Sequence, residues 1–389
     1  MKKVILFAQM IDEANLKKVL LLLPYYLKKE YLCEATIYVA RKSAGVPDVY
    51  RGIPIIVAPD FASTIKKDKI WCDLYISFGF GYLTPVFPSE LKEINPHCVT
   101  CFVTDHAADM SESIKPSLNY RFWHFFHKLV TFPLALERFP KEKRLGKAMF
   151  QAFDYYFTET ESAYADIKKH RWLHVDVSQK LQILNMGYDD ESLIEVDRFL
   201  SQSCQRNNVF LFTGIVGGLF KKSEVLLKAL PLVKEWKDWS VVLAGPVKPE
   251  FQKRFDLLVK KRPELKRRIS LLGNVASRDS LFALYRNSKV FFLTSEKESS
   301  SYSLVEAALL GDYLISTPVG IAPELTQNGK FGSLVPVGSP KSLAQAFEKV
   351  ILHGVPPETV SHSTEIARAK FSYENIVNDC SVFQDALTK

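Results

Sequence analysis
At 389 residues the chain is long enough for two domains of ordinary size, each with its own core. Its 47% hydrophobic and 24% charged residues describe a folded globular protein, and its longest apolar runs, such as residues 19–23, fall far short of the ~20 residues that span a bilayer. The formal charge of +8 and pI near 8.9 invite an anionic partner, but no zinc-finger, RNP or basic-zipper pattern is present and no nucleic acid is expected.

Strand-like and helical runs alternate from the start, the mark of parallel α/β units. Lys2 and Lys3 ahead of residues 4–8 mimic a signal peptide, but Gln9, Asp12 and Glu13 break the run, which reads as a buried first strand. A helix is predicted over 16–29 and strands over 36–40, 53–57 and 74–78. Gly79-Phe80-Gly81 lacks the third glycine of a dinucleotide fingerprint and reads as a turn. A fifth strand over 99–104 ends at Asp105-His106, which puts His106 at the carboxyl edge of a parallel sheet, where ligands bind. Six cysteines form no framework, and Cys98 and Cys101, a lone CxxC in an apolar stretch, read as buried strand residues. A reduced, cytoplasmic protein is expected.

Residues 119–147 interleave Phe122, Trp123, Phe125, Phe126, Phe132 and Phe139 with seven Arg and Lys residues. Two readings fit: a core-facing helix with a solvated basic loop, or a surface resting on anionic lipid at the inner face of a membrane. A strand over 154–158 follows, and the polar stretch 191–208 reads as an interdomain linker.

A second domain opens with a strand over 209–213 and Gly214. Gly217-Gly218-Leu219-Phe220 then leads through Lys221 and Lys222 to a helix over 223–233; Phe220, standing where a Walker loop needs glycine, rules that motif out. Strands over 241–244 and 269–272 follow, the first ending at Gly245-Pro246, and a helix begins at Ser277-Arg278-Asp279. After an apolar run over 290–293 come Glu298 and Glu306, separated by seven residues. Glu306 has two readings. In Ser303-Leu304-Val305-Glu306 it completes a capping box; alternatively its two acceptor oxygens take adjacent ribose hydroxyls. Gly311 closes the helix, and a strand over 312–316 turns at Gly320 toward Glu324.

The run Glu298, Glu306, Ala307, Gly311, Gly320, Glu324 resembles the C-terminal domain of retaining GT-B glycosyltransferases of family four. Asn185, Gly187 and Asp189 match that family's segment ending in Asn, Gly and Asp. The resemblance implies an α/β chain of GT-B fold, two Rossmann-like domains with parallel sheets facing across a cleft. Residues 1–190 would bind the acceptor, joined by a crossover helix over 371–389, and residues 209–370 would bind the donor. The implied activity is transfer of a sugar from a nucleotide diphosphate sugar to a glycan or lipid-linked acceptor, with retention, in cell-envelope polysaccharide or glycoconjugate synthesis. His106, Glu298 and Lys221 take the catalytic positions, and Gly214, Lys222, Gly245, Pro246, Ser300, Ser301, Tyr302 and Glu306 line the donor. Because Asp-x-Asp is missing from the sequence, no metal or other cofactor is expected. The sequence departs from the family twice. Ile215 stands where an arginine is expected to clasp the diphosphate beside Lys221, and Gln9 to Asp12 replace a tandem glycine. These departures keep open a non-catalytic partner of another transferase, and the fold alone keeps open a sugar-nucleotide epimerase or a phosphorylase.

Overall fold
The computed structural model describes residues 1–12, 19–79, 88–104, 144, 147–170, 175–192, 205–275, 277–298 and 300–388. The chain divides into two compact units, Met1–Met186 with Ile376–Lys389, and Gly187–Asn375. The division falls a few residues before the one expected at 190, and residues 205–208 of the expected linker already belong to the second unit, where Asn207–Thr213 forms a strand.

Among the described residues the first unit has eight strands: β1 (Lys3–Ile11), β2 (Glu34–Lys42), β3 (Val49–Tyr50), β4 (Ile53–Val57), β5 (Leu74–Gly79), β6 (Val99–Thr104), β7 (Tyr155–Thr158) and β8 (Leu181–Ile183). Their order is β3-β4-β2-β1-β5-β6-β7-β8, parallel except for the short hairpin β3–β4. β1 is buried from Val4 to Ala8, the continuous apolar run of a strand covered on both faces. One face carries an aromatic layer in which Phe7 stacks on Phe61 at 5.0 Å and Tyr75 on Phe153 at 6.4 Å between ring centres. Cys98 and Cys101 are buried as expected, and Cys98 lies against Cys72, 3.6 Å between sulfurs. Burial pushes the Cys101 thiol well up, so it stays protonated.

Among the described residues the second unit has six parallel strands: β9 (Asn207–Thr213), β10 (Ser240–Ala244), β11 (Ile269–Gly273), β12 (Ser288–Leu293), β13 (Tyr313–Ser316) and β14 (Ser333–Leu334). The order β11-β10-β9-β12-β13-β14 is the doubly wound 3-2-1-4-5-6 arrangement. The order reverses between β9 and β12, so the two loops leaving the carboxyl ends of these strands flank the crevice where such sheets hold ligands. Below that edge Phe210 stacks on Phe347 at 4.0 Å and fixes the strand against the helix Pro340–His353.

Two helices differ from expectation. The one expected over 223–233 is an α-helix only from Glu224 to Ala229 and tightens into a 3-10 turn, Leu230–Leu232, because Pro231 has no N–H for the next rung. The helical stretch expected from 371 is two helices, Tyr373–Asp379 and Ser381–Thr388. Among the described residues no helix is long and apolar enough to cross a membrane.

Candidate active site
β9 ends at Thr213, and Gly214 starts the loop that returns to the helix Glu224–Ala229. The Lys221 side chain folds back over Gly214: a Cβ there would stand 3.5 Å from Lys221 Cε. At the far end of that side chain Lys221 Nζ pairs with Glu298 Oε1 at 2.8 Å. Glu298 comes from the loop after β12, the neighbouring strand across the switch point. The same carboxylate oxygen accepts from Ser295 Oγ at 2.5 Å. The two loops are stitched further along. Glu296 N–H donates to the Phe220 carbonyl at 2.8 Å, Thr294 Oγ1 to the Lys221 carbonyl at 3.0 Å, and Lys222 pairs with Glu296 at 2.9 Å. A cation and a carboxylate from separate loops are therefore fixed side by side at the sheet edge.

Two glycine-dependent contacts set this geometry. Gly245, after β10, has φ of +137°, and a Cβ there would fall 2.0 Å from the Gly214 carbonyl oxygen. Its part is to let the ends of β9 and β10 close on each other; Pro246, beside it, is exposed and its carbonyl takes the Val216 N–H at 2.9 Å. Gly320, at φ +56°, packs on the Glu298 loop, where a Cβ would meet the Ser300 carbonyl oxygen at 2.4 Å. Thr317 Oγ1 braces the same loop from below by donating to the Ser295 carbonyl at 2.6 Å.

The helix Tyr302–Leu309 starts from Ser301, a non-glycine residue at φ +106°. Its first N–H groups lack partners within the helix and bring positive partial charge to the end of the Glu298 loop. Ser300 is buried, and its Oγ has no hydrogen-bond partner among the described residues. Ser303 is inside the helix and Ser301 makes no side-chain cap, so the capping box over 303–306 is not formed. Glu306 is the fifth helical residue, not a first-turn residue, and its carboxylate goes elsewhere. Oε1 faces Arg278 Nη2 at 3.3 Å, and Oε2 accepts from the Tyr285 hydroxyl at 3.3 Å. Arg278 opens the helix Arg278–Asn287, whose cap Ser277 accepts the Ser280 N–H, and its guanidinium lies over the Phe282 ring at 4.6 Å.

Residues 207–353 match the family model described as glycosyl transferases group 1. Over nearly the whole chain the fold matches solved glycosyltransferase structures. Sucrose-phosphate synthase from Thermosynechococcus elongatus aligns over 100% of this chain and 99% of its own, with TM-score 0.69 and 14% identity. HepE from Anabaena, in complex with UDP-glucose, aligns over 100% of both chains with TM-score 0.64 and 14% identity. WaaG, a glycosyltransferase involved in lipopolysaccharide biosynthesis, aligns over 99% and 98% with TM-score 0.59 and 14% identity. The chain has the GT-B fold, and residues 207–353 carry a glycosyl transferases group 1 domain. Comparison with curated proteins finds no match.

In this domain Gly214, Lys221, Gly245, Glu298, Ser300, Ser301, Tyr302 and Glu306 gather around the carboxyl ends of β9, β10 and β12. Lys222 is turned to Glu296 instead of toward Lys221's partner. Ile215, in the place of the expected arginine, is 48% exposed. His106 and residues 119–143 lie outside the described residues. The sequence reading did not single out Ser295, Tyr285 or Thr213, and took Arg278 only as the start of a helix. Arg278, Phe282 and Tyr285 recur at the spacing of one helix face, which was the one available signal.

Proposed function
We propose that this protein moves a sugar from a nucleotide diphosphate sugar to a glycan or lipid-linked acceptor, with retention of configuration and without a metal ion. One observation carries the reading: Lys221 and Glu298, from two loops, meet at 2.8 Å at the switch point of a doubly wound sheet, beside the start of a helix. Lys221 and the helix N-terminus at Tyr302 meet the charge that grows on the diphosphate as the glycosidic bond breaks, electrostatic stabilisation that replaces an acid or a bound cation. Glu298 accepts from hydroxyls of the transferred sugar, and Glu306 from the ribose. Ser300, with its orphaned hydroxyl, faces the same loop and serves the phosphates with the backbone around Ser301. His106 takes the catalytic position that follows β6. That HepE holds UDP-glucose on a like fold supports the choice of donor. The biological setting we propose is cell-envelope polysaccharide or glycoconjugate synthesis at the cytoplasmic face of a membrane, with residues 119–147 resting on anionic lipid.

The test is a panel of nucleotide sugars, read both by donor hydrolysis and by thermal stabilisation. A nucleotide sugar that stabilises the protein and is slowly hydrolysed is the expected result. Stabilisation with no turnover on any donor or acceptor favours the second reading, a non-catalytic partner of another transferase, for which the exposed Ile215 is the structural support.

A further inference from the structure
Glu306 is held by side chains of a neighbouring helix. Both of its named donors, Arg278 and Tyr285, stand on the helix Arg278–Asn287 seven residues apart, two turns along one face. The Tyr285 ring is wholly buried, tilted against Phe291 at 5.6 Å, so the hydroxyl cannot swing. That hydroxyl has a second contact, Thr213 Oγ1 at 2.8 Å, at the last residue of β9. An ionised carboxylate only accepts, so the single tyrosine proton goes to Glu306, and the tyrosine oxygen in turn accepts from Thr213. The donation runs one way, from Thr213 through Tyr285 to Glu306. Burial, and then the nearby Glu306 charge, push the tyrosine hydroxyl well above its ordinary value, which keeps it a donor across the working pH range.

We propose that Tyr285, aligned by Thr213, is a positioning residue that holds the Glu306 carboxylate ready for the ribose of the donor and so sets the preference for ribonucleotides over deoxyribonucleotides. The inference rests on the nucleotide-sugar reading above. Its physical basis is preorganisation: Glu has much rotamer freedom to lose, and losing it on folding removes that cost from binding. A phenylalanine at 285 would fill the same volume, so the hydroxyl's contribution is separable from the ring's.

The experiment uses the full chain and whichever of UDP, ADP and GDP the wild type holds most tightly, together with its 2′-deoxy counterpart, measured by calorimetry. Tyr285→Phe is expected to weaken the ribonucleotide about five- to tenfold and the deoxynucleotide by less than about twofold. Thr213→Val, which removes the first donor and keeps the shape, is expected to act in the same direction by about two- to threefold, and it carries the test alone if Tyr285→Phe does not fold. A packing role would lower thermal stability and both affinities together. Equal losses for the two nucleotides, or an unchanged preference in both variants, overturn the inference while leaving the donor site intact. A wild type that binds the diphosphates but ignores the 2′-hydroxyl removes Glu306 from the ribose and this inference with it. A wild type that binds none of them overturns the nucleotide-sugar reading as well.

Discussion

Lys221 and Glu298 neutralise each other in the absence of substrate, and this has a consequence with a definite sign. On the proposed reading, an incoming diphosphate competes with Glu298 for the ammonium. Glu298→Gln should therefore tighten a free nucleoside diphosphate, by about three- to tenfold, while abolishing most turnover of the nucleotide sugar. Titration of the free diphosphate against both proteins measures the first effect, and a loss of affinity in the variant would show that Glu298 helps to hold the phosphates directly. Lys221→Ala has the opposite sign. It should cost ~1.5–3 kcal/mol of diphosphate binding and much less for the monophosphate, and equal losses would remove Lys221 from the second phosphate. These two side chains were legible in the sequence because each sits in a short local pattern: lysine before a helix, and glutamate separated from another by seven residues. Their companions were not. Arg278, Tyr285 and Thr213 matter through contacts between elements distant in the chain, and no spacing along the sequence encodes a contact of that kind; Ser295 is only three residues from Glu298 but belongs to no motif that marks it. The capping box failed for a related reason, since the helix starts at Ser301, two residues before the serine that the pattern favoured.

At the scale of elements, the loops owe their shape to close backbone approaches. Gly245 and Gly338 both have positive φ, at +137° and +70°, but a Cβ at Gly338 meets nothing within 4 Å while one at Gly245 runs into the Gly214 carbonyl. Gly338→Ala should cost about 1 kcal/mol for its conformation alone. Gly245→Ala carries that cost plus a backbone clash at the junction of β9 and β10 and should exceed ~3 kcal/mol by denaturant titration. Similar values for the two would mean that the strand ends can part without loss. Strands were the most readable elements, because parallel strands buried on both faces are unbroken apolar runs, as at 99–104 and 290–293. Helix ends were less so. The rigid ring of Pro231 and the break at Cys380 divide stretches whose apolar periodicity is continuous.

At the scale of the molecule, the family match covers residues 207–353, all inside the second unit, and the motifs that identified the chain are there too. The first unit is recognisable mainly by its fold. It also depends on the far end of the chain: Phe383 packs on Phe157 at 5.8 Å, the Tyr31 hydroxyl donates to the Val377 carbonyl at 2.8 Å, and Val382 and Leu387 are buried. Burial raises the Tyr31 hydroxyl to about 12, so that contact persists into alkaline solution. Removing residues 376–389 should expose these side chains and destabilise the first unit by several kcal/mol, at roughly 1.5–3 kcal/mol for each large apolar side chain uncovered. Hydrogen exchange should quicken in β5, β6 and β7 and stay slow in β9, β10 and β12; uniform quickening would contradict an effect confined to the first unit.

That arrangement reverses the usual order of folding on the ribosome. Most chains finish their N-terminal part first, as it emerges. Here the first unit consists of two stretches of chain with 187–375 between them, whereas the second unit is continuous. The segment that closes the first unit is translated after all of residues 187–375. The second unit thus has its described strands in hand while the first still waits for Phe383, which packs on Phe157 on the face of β7 opposite the aromatic layer.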